Sequence, residues 1–119
     1  MVVAYTEVMD DFLAWSVGGG WDDYDIFTEH DIPKGAVVEI VLANSNPAQA
    51  RIVGVREDGS GLGRTLELHE AEDGGFVTAR FLTTVDAGTG LIEVYTHTDG
   101  SVTCYVVGYW TGIAFTEAW

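Results

Sequence analysis

The sequence predicts an all-β domain, an antiparallel β-sandwich of about eight strands in jelly-roll form, and three observations carry that expectation. Apolar residues recur with period 2 through most of the chain. Runs of Gly or of Asp and Asn punctuate it about every ten residues, the spacing of short strands joined by turns. Helical periodicity is nearly absent. A chain of 119 residues, 47% hydrophobic and 12% aromatic, is long enough for one domain and apolar enough to offset its ordering entropy.

Taken in order, residues 1–20 form an N-terminal arm or a first strand. Within them Thr6 to Trp15 (TEVMDDFLAW) allows a short helix capped by Thr6, or equally a strand. Gly18-Gly19-Gly20 then supplies either a hinge or an ordinary loop. The sandwich is expected over residues 21–110. Its strands run from about Trp21 to Phe27, Val37 to Ala43, Ala50 to Val55, Gly63 to Leu68, Phe76 to Val85, Gly90 to Thr98 and Val102 to Trp110.

In the run from Phe76, residues Val77, Ala79, Phe81 and Val85 share one face, and Thr78, Arg80 and Thr84 the other, as in a half-buried strand. Thr98-Asp99-Gly100-Ser101 reads as the turn of a hairpin joining the last two strands. Trp110 is expected on the face of Cys104 and Val106, inside the core. Pro33 and Pro47 sit at strand boundaries, where proline is tolerated.

The charge balance excludes partners. Nineteen Asp and Glu stand against five Lys and Arg, a net charge of -14. Nucleic-acid binding needs clustered cations, whereas Lys34, Arg51, Arg56, Arg64 and Arg80 are scattered, so no nucleic acid is expected. No apolar run reaches the roughly 20 residues of a membrane span, no secretory signal opens the chain, and no membrane insertion is expected. Like charge at this density repels itself unless salt screens it, and the acidic, Lys-poor composition looks like that of proteins from halophilic organisms.

Candidate chemistry is sparse, and we expect no catalytic site, no metal and no cofactor. Cys104 is the single cysteine, read as a small core side chain. His30, His69 and His97 lack metal-site spacing. The carboxylates Asp10-Asp11, Asp22-Asp23 with Asp25, and Glu70 with Glu72 leave calcium open, without the spacing of an EF-hand loop. The Gly-rich runs are not followed by GK[ST], and no serine lies in a GxSxG context.

Aromatic residues are the better candidates for contact. Trp21 and Tyr24, with Phe115 and Trp119 in the tail 111–119, are the residues expected at a subunit interface or binding surface. The tail docks on a neighbouring subunit or folds back on its own sandwich.

Two separated strings, Gly54-Val55-Arg56-Glu57-Asp58-Gly59-Ser60 and Leu68-His69-Glu70-Ala71-Glu72-Asp73-Gly74-Gly75, resemble a group of small virion proteins of tailed viruses. Ile32-Pro33-Lys34-Gly35-Ala36 and Val106-Val107-Gly108-Tyr109-Trp110 fit the same pattern, so that the likeness covers about residues 32 to 110. The resemblance implies a jelly-roll capsid decoration, turret or fibre-head subunit, located on the virion surface of a virus with a salt-loving, haloarchaeal host. The leading expectation is therefore a homo-oligomer whose apolar and aromatic patches meet between subunits, with other virion proteins such as the major capsid protein and a host surface glycan as partners. The alternative reading is a carbohydrate-recognition β-sandwich, for which Trp21, Tyr24 and Asp25 would be the first residues to test.

Overall fold

The structure, a computed structural model, describes residues 2–12, 20–97 and 101–113. Among them are the strands β1 (Ala4–Phe12), β2 (Trp21–Tyr24), β3 (Val37–Asn44), β4 (Arg51–Glu57), β5 (Thr65–Leu68), β6 (Val77–Thr84), β7 (Ile92–Tyr95) and β8 (Val102–Thr111), and one short helix, α1 (Ile26–His30). Two four-stranded antiparallel sheets result, in the orders β1-β8-β3-β6 and β2-β7-β4-β5. The pairs β1·β8, β2·β7, β3·β6 and β4·β5 are those of one long eight-stranded ribbon folded back on itself. Wrapping that ribbon brings β3 beside β8 and β4 beside β7, which is the jelly-roll arrangement.

The core lies between the sheets. Val38, Ile40 and Leu42 of β3, Phe81 of β6 and Cys104 and Val106 of β8 face Val53 and Val55 of β4 and Ile92 and Val94 of β7. Strand β6 alternates as expected, with Phe81 buried, Val77 and Ala79 packed against the same cluster, and Val85 just past its end continuing the buried face. Near one end Asn44, fully buried, donates through Nδ2 to the carbonyls of Gln49 (3.1 Å) and His69 (3.0 Å) and accepts from the Asn46 N–H (3.0 Å). Asn44→Ala leaves these groups without partners, so we expect a loss of about 2 kcal/mol in urea unfolding.

Of the two readings of Thr6 to Trp15, the strand holds over its described part, where β1 pairs with β8 at the edge of the first sheet. Three local readings are corrected. The strand from Trp21 stops at Tyr24. Asp25 accepts from the Thr28 N–H at 3.0 Å and starts α1, and Asp31 in the left-handed region (φ 55°) ends it. Ile26 and Ile32, both fully buried, anchor this helical turn to the core.

Strands β7 and β8 do not form a hairpin. They belong to different sheets, so the chain crosses the sandwich between them; an Asp-Gly turn serves such a crossing as well as a hairpin. The turn residues 98–100 lie outside the described residues, as do Gly18 and Gly19 of the expected hinge. Trp110 does not share the inward face of Cys104 and Val106. Val107 is an extra residue between the pairs Glu39·Gly108 and Ile40·Val106, and this bulge reverses the alternation. Tyr109 packs against the core in its place.

Candidate functional site

The bulge decides what the outer face of the first sheet presents. Gly108 is turned outward, and Tyr5 of β1 lies across it, close enough that a Cβ there would meet the phenol ring and the Thr6 carbonyl. Tyr5 also contacts Trp110 at 4.7 Å between ring centroids. Burial first, then the nearby carboxylates of Glu39 and Glu7, raises the Tyr5 phenol above its ordinary pKa. Beside it Glu39, though on an outer face, is buried and paired with Arg80 at 2.9 Å.

Opposite Val107 the edge strand carries its own extra residue, since β1 places Val8 and Met9 between partners that span one residue on β8. Met9 takes φ 55° there, a conformation rarely adopted by a residue with a long side chain, and is 65% exposed. Together Met9, Val41, Arg80, Tyr105, Val106 and Val107 line an open depression of about 430 Å³. Leu82 and Tyr105 are also exposed on this face. At the outward positions of β3, β6 and β8 the charged side chains are Glu39 and Arg80, which cancel, while Glu7 and Asp11 of β1 place two carboxylates at the margin of the face.

The outer face of the second sheet is built differently. Arg56 of β4 lies over the Trp21 ring, 4.0 Å from its centroid, and Trp21 meets Tyr95 edge-on at 5.5 Å. The guanidinium binds Glu93 Oε1 through Nε (2.9 Å) and Nη2 (2.7 Å) and donates from Nη1 to the Leu62 carbonyl (2.8 Å). Glu93 Oε2 accepts from the Gly59 N–H at 2.7 Å. Both halves of Gly54-Val55-Arg56-Glu57-Asp58-Gly59-Ser60 thus serve one turn: Arg56 anchors it, and Gly59 (φ 82°) makes it.

Asp23, Asp58 and Glu93 bring carboxylate oxygens within 4.8 Å of one another, a grouping that could hold a cation. Arg56 supplies positive charge to it from within the protein, and Thr89 Oγ1 donates to Asp58 at 2.8 Å. Asp23 titrates above the ordinary carboxylate value, first through burial and then through Asp58 and Glu93. The folded chain therefore holds this proton where the unfolded chain has lost it, and stability falls as pH rises from 3.8 through the raised value. Asp25 and Asp86 act oppositely. Hydrogen bonds from Thr28 and Thr89 lower them, so their contribution is present above 3.8 and lost as pH falls through their folded values.

Asp23→Asn removes the first effect alone. We expect it to raise stability at neutral pH by less than about 1 kcal/mol, and to flatten the fall in melting temperature as pH rises above 3.8, as followed by circular dichroism.

Tyr24 closes the open side of the sandwich. Its ring stacks on Phe12 at 4.2 Å, and its hydroxyl lies 2.7 Å from His30 Nε2. His30 Nδ1 in turn lies 3.3 Å from Asp10 of β1. Burial, then Glu29, pushes the phenol up to about 12; because the Asp10 carboxylate only accepts, the tautomer that satisfies both contacts carries its proton on Nδ1 and accepts from the Tyr24 hydroxyl at Nε2. Of the residues expected at a binding surface, Trp21 is half-buried under Arg56 and Tyr24 is half-buried against Phe12; Asp25 caps α1. Phe115 and Trp119 lie outside the described residues.

Comparison of the chain with protein-family models, with curated proteins and with solved structures yields no match. The residues of the first sheet's outer face (Tyr5, Met9, Val41, Leu82 and Tyr105) were not among those expected at a site. One signal pointed to them. The run Val37-Val38-Glu39-Ile40-Val41-Leu42-Ala43 is apolar at both parities except for Glu39, close to the pattern of a strand covered on both faces.

Proposed function

We propose that this protein is a structural subunit that works by self-assembly on the outer surface of a tailed virus particle. The observation that carries the assembly reading is the outer face of β1-β8-β3-β6, an apolar and aromatic surface without net charge at its centre on a chain of net charge -14. Exposed apolar patches ringed by charge mark contact surfaces, because desolvating them drives association while the remaining carboxylates keep the assembly hydrated. The viral setting is supported by the resemblance of the two loop strings and by the jelly roll, a fold that serves capsids among other uses.

Salt belongs to the same reading. At about 0.1 M the Debye length of about 10 Å lets carboxylates of neighbouring subunits repel, whereas at about 1 M it shrinks to about 3 Å. Size-exclusion chromatography with light scattering is expected to show an oligomer in about 2 M salt that loosens at about 0.1 M. A monomer at both would overturn the proposal.

A further inference from the structure

The assembly reading leaves the occupant of this face unnamed, and the following step rests on that reading. We infer that the occupant is a second copy of the chain, docked face to face through the outer surface of β1-β8-β3-β6.

Charge is the first argument. Two molecules that each carry -14 repel over most orientations. The middle of this face is where they approach with least repulsion, since Glu39 and Arg80 neutralise one another at 2.9 Å. The pair is also self-complementary. A two-fold axis across the strands, midway between the two side chains, sets each guanidinium beside the other copy's carboxylate; at the margin it also brings Glu7 of β1 opposite the other copy's Asp11, a repulsion that high salt screens.

Area is the second. Four strands about 4.8 Å apart and about eight residues long, at about 3.3 Å per residue, give a flat footprint of about 500 Å². The accessible surface of a face covered in side chains exceeds its footprint, which brings it near the roughly 600 to 800 Å² per partner of a small stable interface. Such a dimer dissociates on the order of micromolar concentrations. Met9 and Tyr105 border the depression, and a flexible thioether repacks readily against an imperfectly matched surface.

One competing route, pairing along the β1 edge, is blocked. β1 is an edge strand, but its bulge at Met9 kinks it, and Glu7, Asp10 and Asp11 would oppose the same carboxylates of a copy paired along it. Both features are known means of blocking edge-to-edge pairing.

The test compares Tyr105→Glu and Leu82→Glu with Ile52→Glu, whose site is 47% exposed on the opposite sheet. Masses are read by light scattering in about 2 M salt, where repulsion between added carboxylates is screened. Thermal melts in the same buffer establish that each variant folds, and Tyr105→Ser or Leu82→Ser replaces any that does not. The native chain and Ile52→Glu are expected to be dimers, and the two face variants to have half that mass. Face variants that stay dimeric, or an Ile52→Glu that dissociates, would overturn the face assignment and leave the assembly reading standing. A native chain that is monomeric throughout would overturn both, and its co-sedimentation with phosphatidylcholine vesicles would assign the face to a lipid surface instead.

Discussion

Arg56→Met is expected to destabilise the fold by about 3 kcal/mol, the low end of the range for breaking a buried ion pair, because its partners retain slight contact with water. The side chains of Arg56 and Glu93 are 15% and 12% exposed. Removing the guanidinium leaves the Glu93 carboxylate with the Gly59 N–H, strips the Leu62 carbonyl of its donor and uncovers the Trp21 ring. It also takes the cation from three converging carboxylates. Urea unfolding should show a lower midpoint with an unchanged slope. The double variant Arg56→Met with Glu93→Met should recover at least half the loss, since replacing both partners removes the uncompensated charge. A loss below about 1 kcal/mol in the single variant would mean that the pair is solvated in solution.

Gly54→Ala is expected to cost about 2 to 3 kcal/mol, the upper part of the range for overpacking. Gly54 lies on β4 between β5 and β7, and an added Cβ would collide with the Arg64 carbonyl and come within 2.8 Å of the Trp21 ring edge. The ring can swing away, at the expense of its stacking on Arg56, but the Arg64 backbone cannot move without disturbing the β4·β5 pairing. Gly61→Ala is the matched control, because nothing lies within 4 Å of its Cβ position. Unfolding midpoints that agree between the two variants would contradict this account of the second sheet.

Much of the sandwich was legible because its signal is local. A strand such as Val77 to Thr84 declares its inward face by alternation, and the strand count follows from turn chemistry. What could not be read depends on partners distant in sequence. The bulge at Val107 exists only relative to Ile40 and Glu39, so strict alternation placed Trp110 inside, where the structure puts Tyr109. The Asp-Gly turn before β8 specifies a tight reversal without saying which sheet the next strand joins.

The contact surface was hidden for a related reason. Trp21 and Tyr24 drew attention as large aromatics, but Arg56 and Phe12, brought to them by the fold, already occupy their faces. Tyr5, Met9, Val41, Leu82 and Tyr105 are spread over four strands and become one surface only when β1, β3, β6 and β8 pair. The double-faced apolar pattern of Val37 to Ala43 was the trace of that surface in the sequence. A sandwich has a second layer for one face of β3 and leaves the other for a partner.

Small-angle X-ray scattering of the native chain in about 2 M salt tests the central claim most directly, because it reports mass and arrangement together. The single chain has a Cα radius of gyration of 13.9 Å. Two sandwiches stacked face to face, with sheets about 10 Å apart, place their centres about 20 Å apart and raise the radius of gyration to about 17 Å. The account predicts that value with doubled forward scattering, reverting toward the single-chain values on dilution or at low salt. A radius near that of one chain, with single-chain forward scattering at every concentration, would contradict it.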